Sequence, residues 1–160
     1  MTRAYIGLGS NLEGPIQQLE RAFEEIDALP HSRLLSRSSL YRSRPVDGSD
    51  QPDYVNAAAL METEFPAGTL LQNLMRIETS HGRIRGGQRW QARTLDLDLL
   101  LYGQHLINED DLVVPHPEIS KRNFVLIPLA EIAPGLVIPG VGVIEDLLHV
   151  NFFSGIQKID

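Results

Sequence analysis

The sequence contains no cysteine, which excludes disulfide scaffolds, thiolate metal sites and cysteine nucleophiles. That absence also fits a reducing compartment. Lysine is scarce: Lys121 and Lys158 are its two instances, so positive charge rests almost wholly on arginine. No run reaches the about 18 apolar residues that a membrane-spanning helix needs. The apolar stretch from Ala4 to Leu8 is too short, and too interrupted by glycine, for a secretory leader. A soluble, cytoplasmic protein is therefore expected. Positive net charge is lacking too, because 14 basic against 21 acidic residues leave −7. Such a charge repels nucleic acid and anionic membrane at long range, so neither is expected as a partner.

What is present is a chain of 160 residues, 42% of them apolar. That suffices for one domain over 1–160 that buries roughly two thirds of its unfolded surface. The charge is unevenly placed. Arg76, Arg83, Arg85, Arg89 and Arg93 fall in a stretch whose one acid is Glu78. An acidic protein with a local arginine cluster points to a small anionic ligand, and the planar guanidinium fork matches phosphate oxygens.

Apolar spacing and turn formers divide the chain into strands and helices. Ala4 to Leu8 reads as a strand, closed by Gly9-Ser10-Asn11. Pro15 suits the first turn of a helix in which Leu19, Ala22, Phe23 and Ile26 share a stripe, ending near Pro30. Leu34 to Tyr41 predicts a second strand, Arg44 to Pro52 a loop of the kind that carries binding residues, and Tyr54 to Phe65 a third strand. Pro66 opens a second helix with Leu70, Leu74 and Ile77 in line, stopping at Gly82. Gly82 to Arg93 reads as a loop expected to be mobile and to order over phosphates. In the strand from Leu95 to Tyr102, Leu95, Leu97, Leu99 and Leu101 are expected on one face, with Asp96, Asp98, Leu100 and Tyr102 on the other. Leu112 to Val114 gives a short strand, and Asn123 to Glu131 and Ile144 to Val150 two more helices. The order β-α-β-β-α-β is that of a ferredoxin-like α+β fold, an antiparallel sheet with helices on one face, here with a C-terminal extension.

Asp96 and Asp98 stand two apart in an otherwise leucine-rich strand, so both carboxylates share a face with Cα atoms about 6.6 Å apart. In an effective dielectric of about 20, two such charges repel by roughly 3 kcal/mol. Something positive must lie between them, either a divalent cation or one of the upstream arginines. Magnesium suits the site, since it binds through one or two carboxylates plus substrate phosphates. Against an ATP of about −4, two magnesium ions of about +4 and the aspartate pair, near-neutrality calls for roughly two arginines. A salt-bridge network of aspartate and arginine at a sheet edge is the alternative that remains open.

The run from Gly82 to Leu101 resembles the signature of the 6-hydroxymethyl-7,8-dihydropterin pyrophosphokinase family. Gly9-Ser10-Asn11-Leu12, Gln51 to Ala58, and Val114-Pro115-His116 with Arg122 and Phe124 match further segments, in the family's order and spacing across nearly the whole chain. The resemblance implies a single pyrophosphokinase domain over 1–160 that transfers pyrophosphate from ATP to the pterin hydroxymethyl oxygen, releasing AMP, in folate biosynthesis. It implies two Mg²⁺ ions on Asp96 and Asp98, and phosphate neutralisation by Arg83 and Arg93. By the same match, Glu78, Arg85, Trp90, Leu99, His116 and Arg122 face ATP. Ser43, Pro45, Val46, Tyr54, Asn56 and Phe124 surround the pterin, and the protein is expected to act as a monomer on these two small molecules. The chain departs from the usual pattern at Met75, Gln91, Ala92, Asp111, Val113 and Pro117, which bears on nucleotide contacts more than on the chemistry.

Two other classes share parts of this pattern. Nucleotide-sugar glycosyltransferases also hold metal with Asp-x-Asp, but this chain is short for that fold and its element order differs. A ferredoxin-like RNA-binding module would present paired aromatics and a basic surface, where this chain presents aspartate, leucine and net negative charge.

Overall fold

The computed structural model describes residues 1–12, 14–44, 52–82, 95–150 and 155–159, with backbone alone at 149 and 150. Ten strands and four helices follow one another among them. They are β1 (Thr2–Ser10), α1 (Pro15–Asp27), β2 (Ser32–Arg37), β3 (Tyr41–Ser43), β4 (Tyr54–Thr63), α2 (Ala67–Ser80) and β5 (Asp96–Tyr102). After these come β6 (Ile107–Glu109), β7 (Leu112–Val114), a 3₁₀ turn at Ile119–Lys121, α3 (Asn123–Ile132), β8 (Val137–Ile138), β9 (Gly142–Val143), α4 (Ile144–Val150) and β10 (Ile156–Lys158).

The principal sheet runs β10-β3-β4-β1-β5, with β2 also paired to β4, and every pairing is antiparallel. The expected strand from Leu34 to Tyr41 is two strands along one edge of β4. Arg37 pairs with Ala59 and Tyr41 with Asn56, so the edge spends four steps where β4 spends three. Ser38 fills the break, donating its N–H to Ala58 O and accepting the Ala58 N–H on Oγ, each at 2.9 Å. A serine that supplies its own acceptor lets the ladder skip a residue without orphaning a buried amide.

A second irregularity changes a face. Ile6 pairs with Leu99 but Tyr5 pairs with Leu101, leaving Leu100 as an extra residue in β5. Leu95, Leu97 and Leu99 pack with α1 and α2 as their spacing predicts, whereas Leu101 joins Leu100 in the opposite core and Tyr102 crosses back. The expectation that Leu101 continues the leucine face is corrected by this bulge, since one inserted residue inverts every later side chain. The Tyr102 hydroxyl then donates to Phe65 O at 2.5 Å.

Helices cover both faces of the sheet. Leu19, Phe23 and Ile26 of α1 and Leu70, Leu74 and Ile77 of α2 form one core with Ile6, Leu8, Ala57 and Met61. Val125, Leu126 and Leu129 of α3 and Ile144 of α4 form another with Ala58, Leu100 and Leu101. The reading of helices on one face holds for α1 and α2; the C-terminal extension adds the second layer. At the end of α2, buried His81 presents its two ring nitrogens to Gln18 and Glu25 of α1.

Candidate active site

β5 brings its aspartates against the central strand. Asp96 lies opposite Gly9 and Asp98 opposite Gly7, and across β1 those glycines meet Asn56 and Ala58 of β4. Further along the sheet, Asn56 faces Tyr41 and Tyr54 faces Ser43. Directly opposed residues share a sheet face, so Asp96, Asp98, Asn56, Tyr54, Tyr41 and Ser43 all lie on the face that α3 and α4 partly cover. The period-two expectation for the two carboxylates is therefore met in the backbone register.

The glycines of β1 create the room. A Cβ on Gly9 would stand 2.8 Å from Asn56 Oδ1, inside any real contact. With that space open, the 8%-exposed Asn56 lays its amide across β1 and donates from Nδ2 to Ser43 Oγ at 3.4 Å. The turn after β1 is buried at Ser10 and Asn11, and Asn11 Nδ2 reaches Pro52 O at 3.4 Å, tying this end of β1 to the approach of β4.

The other walls come from the C-terminal half. His116 follows β7, and its N–H donates to Leu100 O, docking the segment on the outer edge of β5. Burial, and next the nearby Arg122 guanidinium, lower the His116 pKa below its ordinary value, while Asp96 and Glu118 oppose them. Its Nδ1 accepts the Glu118 N–H at 3.2 Å, so the neutral ring carries its proton on Nε2. Arg122 and Phe124 bracket the start of α3, with the guanidinium carbon 5.7 Å from the ring centroid. Between them Asn123 Oδ1 is, among the described residues, the one buried side-chain polar atom without a hydrogen-bond partner. Glu78 lies on the α1–α2 side, 3% exposed, and its Oε2 accepts the Leu97 N–H at 2.8 Å. Leu99 is buried in that same core.

The register thus gathers Asp96, Asp98, Asn56, Tyr54 and Ser43, and His116 lies within electrostatic reach of both Asp96 and Arg122. Pro45, Val46, Arg83, Arg85, Trp90 and Arg93 fall outside the described residues, as does the expected phosphate-ordering loop. Sequence reasoning missed Tyr41, whose hydroxyl donates to Glu131 Oε1 of α3 at 2.5 Å, and it missed why Gly9 must be small.

The donor set suits magnesium. Two hard carboxylate oxygens on a face opposed by side-chain-free glycines leave coordination positions for phosphate and water, as Mg²⁺ prefers. Among the described residues no group of three or more metal-ligating side chains converges.

The frame of the site is thus an antiparallel α+β sheet that carries two aspartates and the Asn56 amide on one partly covered face. The chain belongs to the 7,8-dihydro-6-hydroxymethylpterin-pyrophosphokinase (HPPK) family, whose sequence model matches residues 5–134. It is 48% identical over 148 residues to a 2-amino-4-hydroxy-6-hydroxymethyldihydropteridine pyrophosphokinase of Haemophilus influenzae, covering 92% of each chain. A relative of the same name from Methylorubrum extorquens is 42% identical over 160 residues, the full length of both. Among solved structures, a Plasmodium falciparum HPPK-DHPS with SDX-DHP superposes with a TM-score of 0.79 at 13% identity, over 99% of this chain and 49% of that one. At that identity the likeness concerns the fold alone, and the chain spans about half the length of that structural neighbour.

Proposed function

We propose that the protein transfers the pyrophosphoryl group of ATP to the hydroxymethyl oxygen of 6-hydroxymethyl-7,8-dihydropterin, giving AMP and the pterin diphosphate in folate biosynthesis. Family membership and the names of full-length relatives support this reading. The single observation that carries it at the site is the shared face, where β-sheet register sets the aspartate pair beside Asn56, Tyr54 and Ser43. The phosphate-handling and heterocycle-handling residues are then neighbours across β1, as direct transfer between two bound substrates requires.

On this reading Asp96 and Asp98 hold two Mg²⁺ ions, which when bound neutralise and orient the triphosphate. Arg83 and Arg93 stabilise charge developing on the phosphates, and Arg85, Trp90, His116 and Arg122 line the nucleotide side, to which Leu99 can offer only backbone because its side chain is buried in the α1–α2 core. Neutral His116, with its proton on Nε2, offers a donor rather than a charge. Asn56 meets the donor and acceptor edge of the pterin with one amide, Ser43, Pro45, Val46 and Tyr54 flank it, and Phe124 supplies a ring to stack on. The pterin oxygen attacks the β-phosphorus in line, the bond to the α-phosphate oxygen breaks, and AMP departs. Residues 1–160 serve as one pyrophosphokinase domain, monomeric and cytoplasmic, and the sheet order with the two-helix layer supports the ferredoxin-like β-α-β-β-α-β assignment.

Incubation with ATP, Mg²⁺ and the hydroxymethyl pterin is expected to yield AMP and pterin diphosphate in equal amounts. Formation of ADP instead would mean single-phosphoryl transfer and would overturn the proposal.

A further inference from the structure

β5 is the last strand of the sheet, so its outer edge has no strand partner among the described residues. In an antiparallel strand successive N–H groups point to opposite edges. The Leu97 N–H points outward, where Glu78 takes it up, and those of Asp96 and Asp98 point inward toward Gly9 and Gly7. The three-residue acidic segment is therefore gripped from both sides, by the central ladder at its two aspartates and by α2 at the leucine between them.

The helix that holds the grip is itself fixed. Leu74 and Ile77 of α2 are buried in one core with Leu95, Leu97 and Leu99. A carboxylate at 3% exposure is expensive to bury, costing several kcal/mol before its partners compensate. Leucine or glutamine there would avoid that cost. What a carboxylate alone brings is a charge-assisted acceptor, roughly twice as strong as a neutral one.

We infer that Glu78 is a positioning residue for the divalent-ion site: by clamping the Leu97 amide it sets the backbone, and hence the spacing, between Asp96 and Asp98. The inference rests on the assignment of Asp96 and Asp98 to the metal. It gives Glu78 a task distinct from touching the nucleotide.

The test combines amide exchange with metal binding. In the wild-type protein the Leu97 amide is expected to exchange slowly despite its edge position, and rapid exchange there would overturn the inference without reference to any variant. Titration of Mn²⁺ with a non-hydrolysable ATP analogue, followed by electron paramagnetic resonance, is expected to show about tenfold weaker metal binding in Glu78→Leu. Part of that loss should be recovered in Glu78→Gln, which keeps a neutral acceptor of roughly half the strength. Equal weakness of the Gln and Leu variants, or weakened binding of metal-free ATP with Mn²⁺ affinity intact, would overturn it. An Asp98→Asn variant run alongside separates the two ideas: intact Mn²⁺ binding there removes the metal assignment itself, whatever Glu78 does. Should Glu78→Leu fail to fold, the wild-type exchange and the Gln titration still decide.

Discussion

Asn56 owes its place to the smallest residue beside it. Because a Cβ on Gly9 would meet the amide oxygen at 2.8 Å, Gly9→Ala must push that amide aside, and a flexible side-chain tip moves at little cost to the fold. The pterin dissociation constant is therefore expected to rise about tenfold, since misplacement of a positioning group on the ångström scale carries such costs. ATP binding, measured in parallel by calorimetry, should stay within about twofold; an equal loss for both ligands would mean that the sheet itself had shifted. Asp98→Ala removes half of the donor set, and turnover followed as AMP release should fall by about 10³-fold or more, with the thermal midpoint retained. Near-normal AMP formation would count against the metal assignment. Asn56 was singled out by the family resemblance, whereas the shared face of the two aspartates was legible from strand periodicity. Gly9 was not, because the demand on it comes from a side chain 47 positions away, visible once β1 and β4 are in register.

Register itself is decided at the level of elements, and there local pattern is a weaker guide. The leucine run of β5 has nothing in its composition that announces the extra residue at Leu100, so Leu101 and Tyr102 exchange faces against the expectation. The break between β2 and β3 at least has a chemical cause in Ser38, although serine is common in strands and in turns alike. Just past that break, Ser39 and Tyr41 are held by one residue of α3. Glu131 accepts the Tyr41 hydroxyl at 2.5 Å, and Ser39 N–H and Oγ–H at 3.0 and 3.1 Å. Burial alone would raise the Glu131 pKa, but the donors and nearby Lys158 outweigh it, and the carboxyl titrates below its ordinary value. A carboxylate with a lowered folded-state pKa contributes stability that is complete above the unfolded value and disappears as pH falls through the folded one. Glu131→Gln is thus expected to lower the thermal midpoint by about 3 °C near pH 7, as the loss of about 1 kcal/mol would. The gap should narrow in scanning calorimetry as pH falls from the ordinary carboxyl value of 4.5 through the lowered folded-state one; a gap that stays constant down to acid pH would show that the carboxylate charge has no part in the clasp.

For the molecule as a whole, the sheet separates two layers with different work. One core, under α1 and α2, supports the sheet from behind; the other, under α3 and α4, lies on the face that carries Asp96, Asp98 and Asn56. The alternation of strands with α1 and α2 was readable because each of these helices announces itself by its apolar stripe, as Leu19, Ala22, Phe23 and Ile26 do, whereas the split of the second expected strand into β2 and β3 was not. The placement of the C-terminal helices was not, since an apolar helix such as α3 contains no instruction about which side of a sheet it will cover. That division can be tested by making equal holes in the two layers. Leu19 and Leu126 are both fully buried, and replacing either by alanine removes the same three carbons, so each variant should lose about 3 kcal/mol of stability and about 10 °C of thermal midpoint. Their functional consequences should differ. Leu126→Ala loosens α3, whose first turn carries Phe124, the ring proposed to stack on the pterin, and is expected to raise the KM for pterin about fivefold or more; Leu19→Ala, well below its own midpoint, should leave that KM within about twofold. If both variants shift KM alike, the layers are mechanically coupled through the sheet, and the assignment of catalytic positioning to one face is wrong.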